Sequence, residues 1–199
     1  MYFFVLFTVL ISCTSDGQKG TVPDQPIHKK HNRLVDNFAH KDIIILDTIY
    51  KVNDTVSERF REVVNLYLQI SKALVDGNTD AVDKSVMLMI EKINAIPFEA
   101  FEGEGLLAWQ QHAGLYQEKL KEMQHIEGLE NKRSYFGHIS EIMYCTVKSF
   151  DFQLEPLFMD FCPMAFDGKG AYWLSNSKTI QNPYFGSAML NCGEIKEEL

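Results

Sequence analysis

Apolar residues recur at three- and four-residue spacing through the middle of the chain, and this pattern predicts four amphipathic helices. The helices span about 54–76, 79–96, 106–128 and 129–150. An Asp54/Thr55 cap begins the first helix, and Gly77 ends it. The apolar stripes comprise Val56, Phe60, Val63, Tyr67, Ile70 and Leu74; Val82, Val86, Met89 and Ile93; Leu106, Trp109, Ala113, Tyr116, Leu120 and Met123; and Phe136, Ile139, Met143 and Val147. Because the connections are short, the pattern favours an up-down four-helix bundle.

The last fifty residues follow a different pattern. Residues 156–166 and 171–174 are apolar and aromatic, and the turn signal Asp167-Gly168-Lys169-Gly170 separates them, which predicts a short hairpin. The acidic tail at 194–199 is expected to fray. Residues 51–199 are therefore predicted to form one mainly α domain. This domain combines the bundle with a small C-terminal β-hairpin or loop subdomain, rich in Cys and Met, at about 156–193.

The N-terminal segment is typical of an exported lipoprotein. Residues 1–11 are uncharged and apolar, and this run has the length of a signal-peptide core. Leu10-Ile11-Ser12-Cys13 resembles a bacterial lipobox, which predicts a signal peptide at 1–13 that ends at an acylated Cys13. Residues 14–50 are interpreted as a tether and lead-in segment, in which Ile43–Leu46 forms either a short strand or a lead-in. The alternative is an ordinary buried strand with a chance cysteine at position 13.

Composition narrows the classes of partner. The chain has 199 residues, 46% of them hydrophobic and 23% charged, which suits one globular domain. Its net charge of −8 argues against nucleic-acid binding, which needs a basic surface. No stretch reaches the roughly 18 apolar residues of a spanning helix. Contact with the membrane is therefore expected only through the lipid anchor, on a periplasm-facing or surface-exposed lipoprotein.

Two short segments near the C-terminus combine thiols with thioethers. Cys162-Pro163-Met164 and Met189-Leu190-Asn191-Cys192 each place one cysteine and one methionine within four residues. Thiolate and thioether are soft ligands that favour Cu(I). The candidate metal ligands are therefore Cys162, Met164, Met189 and Cys192. The alternative is a Cys162–Cys192 disulfide that staples the tail, with both methionines filling the core, and the two states can alternate with redox conditions.

Other chemistry-bearing residues give weaker signals. Glu122-x-x-His125 resembles half of a di-iron bundle motif, and His138-x-x-Glu141 has the reverse order, so a di-iron centre is not favoured. His112, His125 and His138 are expected at the surface or at its boundary, and Cys145 is expected to be a small buried hydrophobic residue. No nucleophile, acid–base pair or nucleotide fingerprint has recognisable spacing, so no catalytic residue is assigned and no enzyme is predicted.

Four blocks near the C-terminus carry a resemblance to a known family. They are Cys162–Ala165, Lys169–Ser175, Asn182–Gly186 and Met189–Gly193. In this order they resemble the domain of unknown function 3347 family, which stands alone in exported bacterial lipoproteins or is appended to the periplasmic adaptors of heavy-metal efflux pumps. The helical region from about Ser57 to Phe150 also fits the family. The resemblance implies a metal role by association, carried by the same four sulfur-bearing positions, with heavy-metal efflux components as partners.

Together these observations predict an exported lipoprotein that binds or buffers a soft metal ion, most simply Cu(I), and serves heavy-metal homeostasis. The alternative is a periplasmic interaction or structural module that binds no metal and is stapled by a Cys162–Cys192 disulfide. The metal interpretation requires that the two segments converge, so that the side chains of residues 162, 164, 189 and 192 share one coordination sphere, whereas the disulfide requires only residues 162 and 192 to meet.

Overall fold

The computed structural model describes residues 34–199, which are mainly helical and carry a small antiparallel sheet near the C-terminus. The long helices are α1 (Asp54–Asp76), α2 (Thr79–Asn94), α3 (Gly103–His125) and α4 (Leu129–Ser149). The predicted signal peptide, the lipidation site Cys13 and the tether up to residue 33 lie outside the described residues. Within residues 34–199, none of the helices combines the length and the apolar character that crossing a bilayer requires.

Side-chain caps fix where the first two helices begin. The Asn53 side chain accepts a hydrogen bond from the amide of Val56, so the cap of α1 lies one residue before the predicted Asp54/Thr55 pair. The helix ends at Gly77, whose φ of 70° is the left-handed conformation that glycine tolerates. The Asn78 side chain then accepts from the amide of Ala81 and begins α2.

The third helix begins earlier than the sequence pattern predicts. It starts at Gly103 and includes Gly105, whose Cα packs against the ring of Tyr50. A Cβ at position 105 would lie 2.4 Å from that ring, so only glycine lets the backbone of α3 pack this closely against Tyr50.

The predicted apolar stripes form the core. All their members are buried except Leu106 and Val147, which are partly buried, and each long helix packs against the next one in chain order. The lead-in segment Ile43–Leu46 is also buried in this core. It is held by two side chains, because the Ile44 amide donates to Gln111 Oε1 and the Leu46 amide donates to Ser149 Oγ.

Two small sheets complete the architecture. The parallel pair consists of β1 (Tyr50–Lys51) and β2 (Phe150–Asp151). The antiparallel sheet has the order β4 (Ala171–Ser175), β3 (Phe158–Cys162), β5 (Glu194–Glu198). Between β3 and β4 lies the short helical turn Ala165–Gly168, in which Phe166 and Asp167 adopt left-handed conformations. Short 3-10 turns occupy Val35–Asn37, Phe98–Ala100 and Gly186–Ala188.

The predicted hairpin is confirmed by β3 and β4, whereas the expected fraying of the tail is wrong. Residues 194–198 pair with β3, and the amide of Leu199 donates to the Leu157 carbonyl at 2.8 Å. The Glu197 carboxylate accepts from the Tyr144 hydroxyl at 2.6 Å and from Lys148 Nζ at 2.8 Å. Backbone pairing with the central strand and these contacts to α4 order a segment that has almost no apolar side chains.

Candidate functional site

The sheet brings the thiols of Cys162 and Cys192 into contact. Cys162 is the fully buried last residue of β3, and Cys192 lies in the loop before β5, where it is partly exposed. Their Sγ atoms are 3.0 Å apart, although the residues are 30 positions apart in the chain. The Asn182 side chain holds the second segment, because its Nδ2 donates to the Cys192 carbonyl at 2.7 Å.

Two glycines allow this close approach. Gly170 has a φ of 80°, and a Cβ there would lie 2.4 Å from the Phe161 ring. Gly193, directly after Cys192, has a φ of 150°, and a Cβ there would lie 2.8 Å from the Trp173 ring. The glycines of two of the family-like blocks therefore act through packing, by letting backbone lie directly on aromatic rings of the sheet.

The two methionines lie at the surface. Met164 is 53% exposed and Met189 is 38% exposed, so neither side chain fills the core, in contrast to what the disulfide alternative expects. Leu190, also exposed, stands next to Met189. The structure thus brings the two candidate thiols together and leaves the two candidate thioethers accessible.

The thiol pair is suited to binding a soft ion or to forming a disulfide. The hydrogen bond with Cys162 raises the pKa of the Cys192 thiol above its ordinary value. Loss of the Cys192 proton is therefore unfavourable unless a cation binds to the sulfurs or the sulfurs are oxidised.

The Asn182–Gly186 block fastens the loop before Cys192 to the helices. Asn182 is fully buried, and its Oδ1 accepts from the amide of Tyr184 at 2.8 Å. The Arg133 guanidinium of α4 donates to the carbonyl of Pro183 at 3.0 Å and to that of Leu74 at 3.2 Å. A loop held at this many points keeps Cys192 in place opposite Cys162.

A second cluster contains nitrogen and oxygen donors. His138 and Glu141 lie one turn apart on α4, and His40 reaches them from the lead-in segment. Their ligand atoms all lie within 4.8 Å of one another. Among residues 34–199, these are the three His, Cys, Asp or Glu side chains that lie close enough together to share a metal ion. The sequence contained one signal for it, the His138-x-x-Glu141 spacing, but gave no indication that His40 joins the pair.

The second cluster borders a cavity in the described part of the chain. This cavity has a volume of about 540 Å³, and His138 and Glu141 are among the residues that line it. Phe166 and Tyr172 contribute aromatic surface to the same cavity. It therefore lies between α4 and the turn that follows Cys162-Pro163-Met164.

The other histidines have separate environments. His112 is fully buried, so its predicted place at the surface is wrong; its Nε2 donates to the Ile44 carbonyl at 2.8 Å, and burial lowers its pKa to about 4. The exposed His125 donates to the Lys121 carbonyl, and the half-buried His138 lies at the boundary, as predicted. Cys145 is fully buried, as expected, and burial raises the pKa of its thiol.

Comparison with known proteins finds a family model that matches the helical region. Residues 63–154 match the family described as "Protein of unknown function (DUF3347)". The four Cys-, Gly- and Trp-containing blocks lie after this matched region in the chain. Neither a curated protein nor a solved structure matches the chain. The match confirms, over residues 63–154, the resemblance to this family that was drawn from the sequence.

Proposed function

We propose that this chain is an exported lipoprotein that binds or buffers a soft metal ion, most simply Cu(I), at Cys162 and Cys192. The observation that carries the proposal is the 3.0 Å separation of the two Sγ atoms. Two adjacent thiolates are a preferred environment for Cu(I), and they are supplied here by a strand end and a fastened loop. The function is binding rather than catalysis, and the ion is the cargo.

Accessibility supports the proposal. Cys162 is buried and fixed, whereas Cys192 is partly exposed, so an ion can reach the pair from the side of Cys192. Met164 and Met189 lie near the thiols in the chain and are exposed. Their flexible thioethers are suited to capturing Cu(I) at the surface and passing it to the thiolates.

The cellular setting is part of the same proposal. The lipobox-like sequence around Cys13 supports export and anchoring, and the resemblance to domains appended to efflux adaptors supports heavy-metal efflux components as partners. The four long helices are proposed to run alternately up and down, which would present the Cys-containing sheet on a rigid support.

Cu(I) titration of the reduced full-length chain tests this function. The wild-type protein is expected to take up about one Cu(I) in competition with a chromophoric chelator, and the Cys162→Ser/Cys192→Ser protein is expected to lose that uptake. Cys145→Ala is the matched control, because it removes a buried thiol that lies on α4 rather than on β3 or in the loop before β5. Cys13 is unchanged in every variant, so the difference reports on the pair alone. Equal uptake by the double-serine protein would refute the proposal.

A second candidate function has its own supporting observation. Asn182 and Trp173, from two of the family-like blocks, are buried, while Met164, Met189 and Leu190 of the other two blocks are exposed. This arrangement suits an interaction module that is stapled by a Cys162–Cys192 disulfide and binds no metal. A thiol count in denaturant, on protein extracted from its native compartment, separates the two. An oxidised, metal-free pair favours the module, and a reduced, copper-loaded pair favours the carrier.

A further inference from the structure

We propose that His40, His138 and Glu141 form a second metal site, which binds a borderline divalent ion of the Zn²⁺ type. The site shares no ligand with the Cys162/Cys192 pair and does not depend on the proposed copper function. It joins two parts of the fold, because α4 contributes His138 and Glu141 while the lead-in segment contributes His40.

The donor set fits zinc. Two imidazole nitrogens and one carboxylate oxygen, with the fourth position left open, form a recurrent zinc environment in proteins. Ligand atoms on a tetrahedral zinc stand roughly 3.4 Å apart. Those of the cluster lie within 4.8 Å of one another, so small side-chain rotations are enough to bring them around one ion. The imidazole centroids of His40 and His138 are already only 4.7 Å apart.

The protein orients the carboxylate through its backbone. Glu141 Oε1 accepts from the Ala39 amide at 2.8 Å, and Oε2 accepts from the His40 amide at 3.1 Å. Each oxygen keeps a further lone pair that can bind an ion. Hydrogen bonds of this kind orient metal-binding carboxylates in known sites. They also tie the backbone of His40 directly to the residue with which its ring would share the metal.

One ring nitrogen at the site lacks a partner. His40 Nε2 is buried and has no hydrogen-bond partner among residues 34–199. A buried polar atom without a partner is costly, and coordination of a cation would remove this cost. Burial also lowers the pKa of both His40 and His138, which keeps the imidazoles neutral and their lone pairs available at neutral pH.

The charges around the cluster are compatible with a cation. Lys119 lies close enough to both histidines to lower their pKa values. However, its Nζ is paired with Glu118 at 2.8 Å and with Glu122 at 3.0 Å. With Glu141 included, this group carries more negative than positive charge. His138 and Glu141 also line the 540 Å³ cavity, from which water or a small ligand can complete the coordination.

Zinc binding by the full-length chain tests the site. Every protein in the experiment carries His28→Gln and His31→Gln, which remove the N-terminal histidine pair, and Cys162→Ser and Cys192→Ser, which remove the thiol pair. In this background, His40→Gln and His138→Gln are each expected to weaken Zn²⁺ binding by about tenfold or more, measured against a chromophoric chelator. His125→Gln is the matched control, because it alters an exposed histidine on α3 and should leave the affinity unchanged.

Co²⁺ absorption supplies a readout that does not depend on folding stability. The parent protein is expected to give a visible ligand-field band without thiolate charge transfer, and both cluster variants are expected to lose this band while their far-ultraviolet circular dichroism stays native. No Zn²⁺ binding by the parent, or equal binding by the cluster variants and His125→Gln, would overturn the proposal. Loss of copper uptake by the thiol pair would leave it unaffected.

Discussion

At the scale of single residues, the buried carboxyl of Asp160 lacks, among residues 34–199, the hydrogen bonds that would offset its burial. It lies on the central strand β3 and is fully buried, and neither of its oxygens has a hydrogen-bond partner among the described residues. Burial raises its pKa to about 6. Because the ordinary pKa is 3.8, ionised Asp160 weakens folding above pH 6, and this cost disappears as the pH falls towards 4.

We therefore expect Asp160→Asn to stabilise the protein at pH 7 by up to about 3 kcal/mol and to have little effect at pH 4. The measurement is urea unfolding of both proteins across this pH range. Asp151→Asn, which changes an exposed carboxyl on β2, serves as the control. A stability difference that stays constant with pH would show that the pKa of Asp160 is the same in the folded and the unfolded protein, and would contradict the effect of burial.

At the same scale, His112 shows why a single sequence places some polar residues wrongly. It falls on the buried face of α3, between Trp109 and Tyr116, so the helical period itself is consistent with burial. Its burial depends on an acceptor from elsewhere in the chain, the Ile44 carbonyl, which local sequence cannot supply. For the same reason the sequence does not predict the contact of His40 with Glu141, because these two residues are 101 positions apart in the chain.

At the scale of elements, the Gly170 position separates backbone strain from steric contact. Gly168 and Gly170 have nearly the same φ, 81° and 80°. A Cβ added at Gly168 would meet no atom within 4 Å, whereas one added at Gly170 would meet the Phe161 ring. An alanine at either position meets the left-handed backbone cost, and at position 170 it also collides with the ring.

Gly168→Ala is accordingly expected to cost about 1 kcal/mol of unfolding free energy, and Gly170→Ala a further 1–3 kcal/mol or so. Chemical denaturation measures both, and the difference isolates the collision. Equal costs would mean that β3 and β4 can separate around Phe161 without loss. That result would weaken the view that these glycines hold the Cys162 strand in place.

Elements with a strong apolar period were predictable, and those without one were not. The four helices follow from stripes that repeat every three or four residues, and the β3–β4 hairpin follows from two apolar runs around a turn. The strand β5 has the sequence Glu194-Ile195-Lys196-Glu197-Glu198 and offers almost no such signal. It is ordered by backbone pairing with β3, which depends on the edge that β3 presents rather than on the side chains of β5.

At the scale of the whole molecule, the two thiols bring together parts of the chain that are 30 positions apart, and a disulfide between them would close this loop. Cross-linking a loop of this length is expected to raise the free energy of unfolding by about 3.7 kcal/mol, because it restricts the unfolded chain. Oxidised protein should therefore unfold at higher urea concentration than reduced protein. Cys162→Ser/Cys192→Ser should show no such dependence on redox state, and an equal dependence in this variant would assign the effect to another cysteine.

The two candidate sites differ in how many of their residues could be predicted from the sequence. Soft-ligand chemistry at positions 162 and 192 was apparent from two short segments, and the fold brings those thiols together. The nitrogen–oxygen cluster was not apparent, because one of its members comes from the lead-in segment before α1. The short Cys- and Met-containing segments predict the thiol pair. The contact of His40 with α4 is found only in the folded structure.

The most direct test of the central claim is X-ray absorption at the copper edge on the full-length chain loaded with one equivalent of Cu(I). The account predicts a first coordination shell made only of sulfur, which is lost in Cys162→Ser/Cys192→Ser and retained in Cys145→Ala. A shell of nitrogen or oxygen, or a sulfur shell that persists in the double-serine protein, would contradict it.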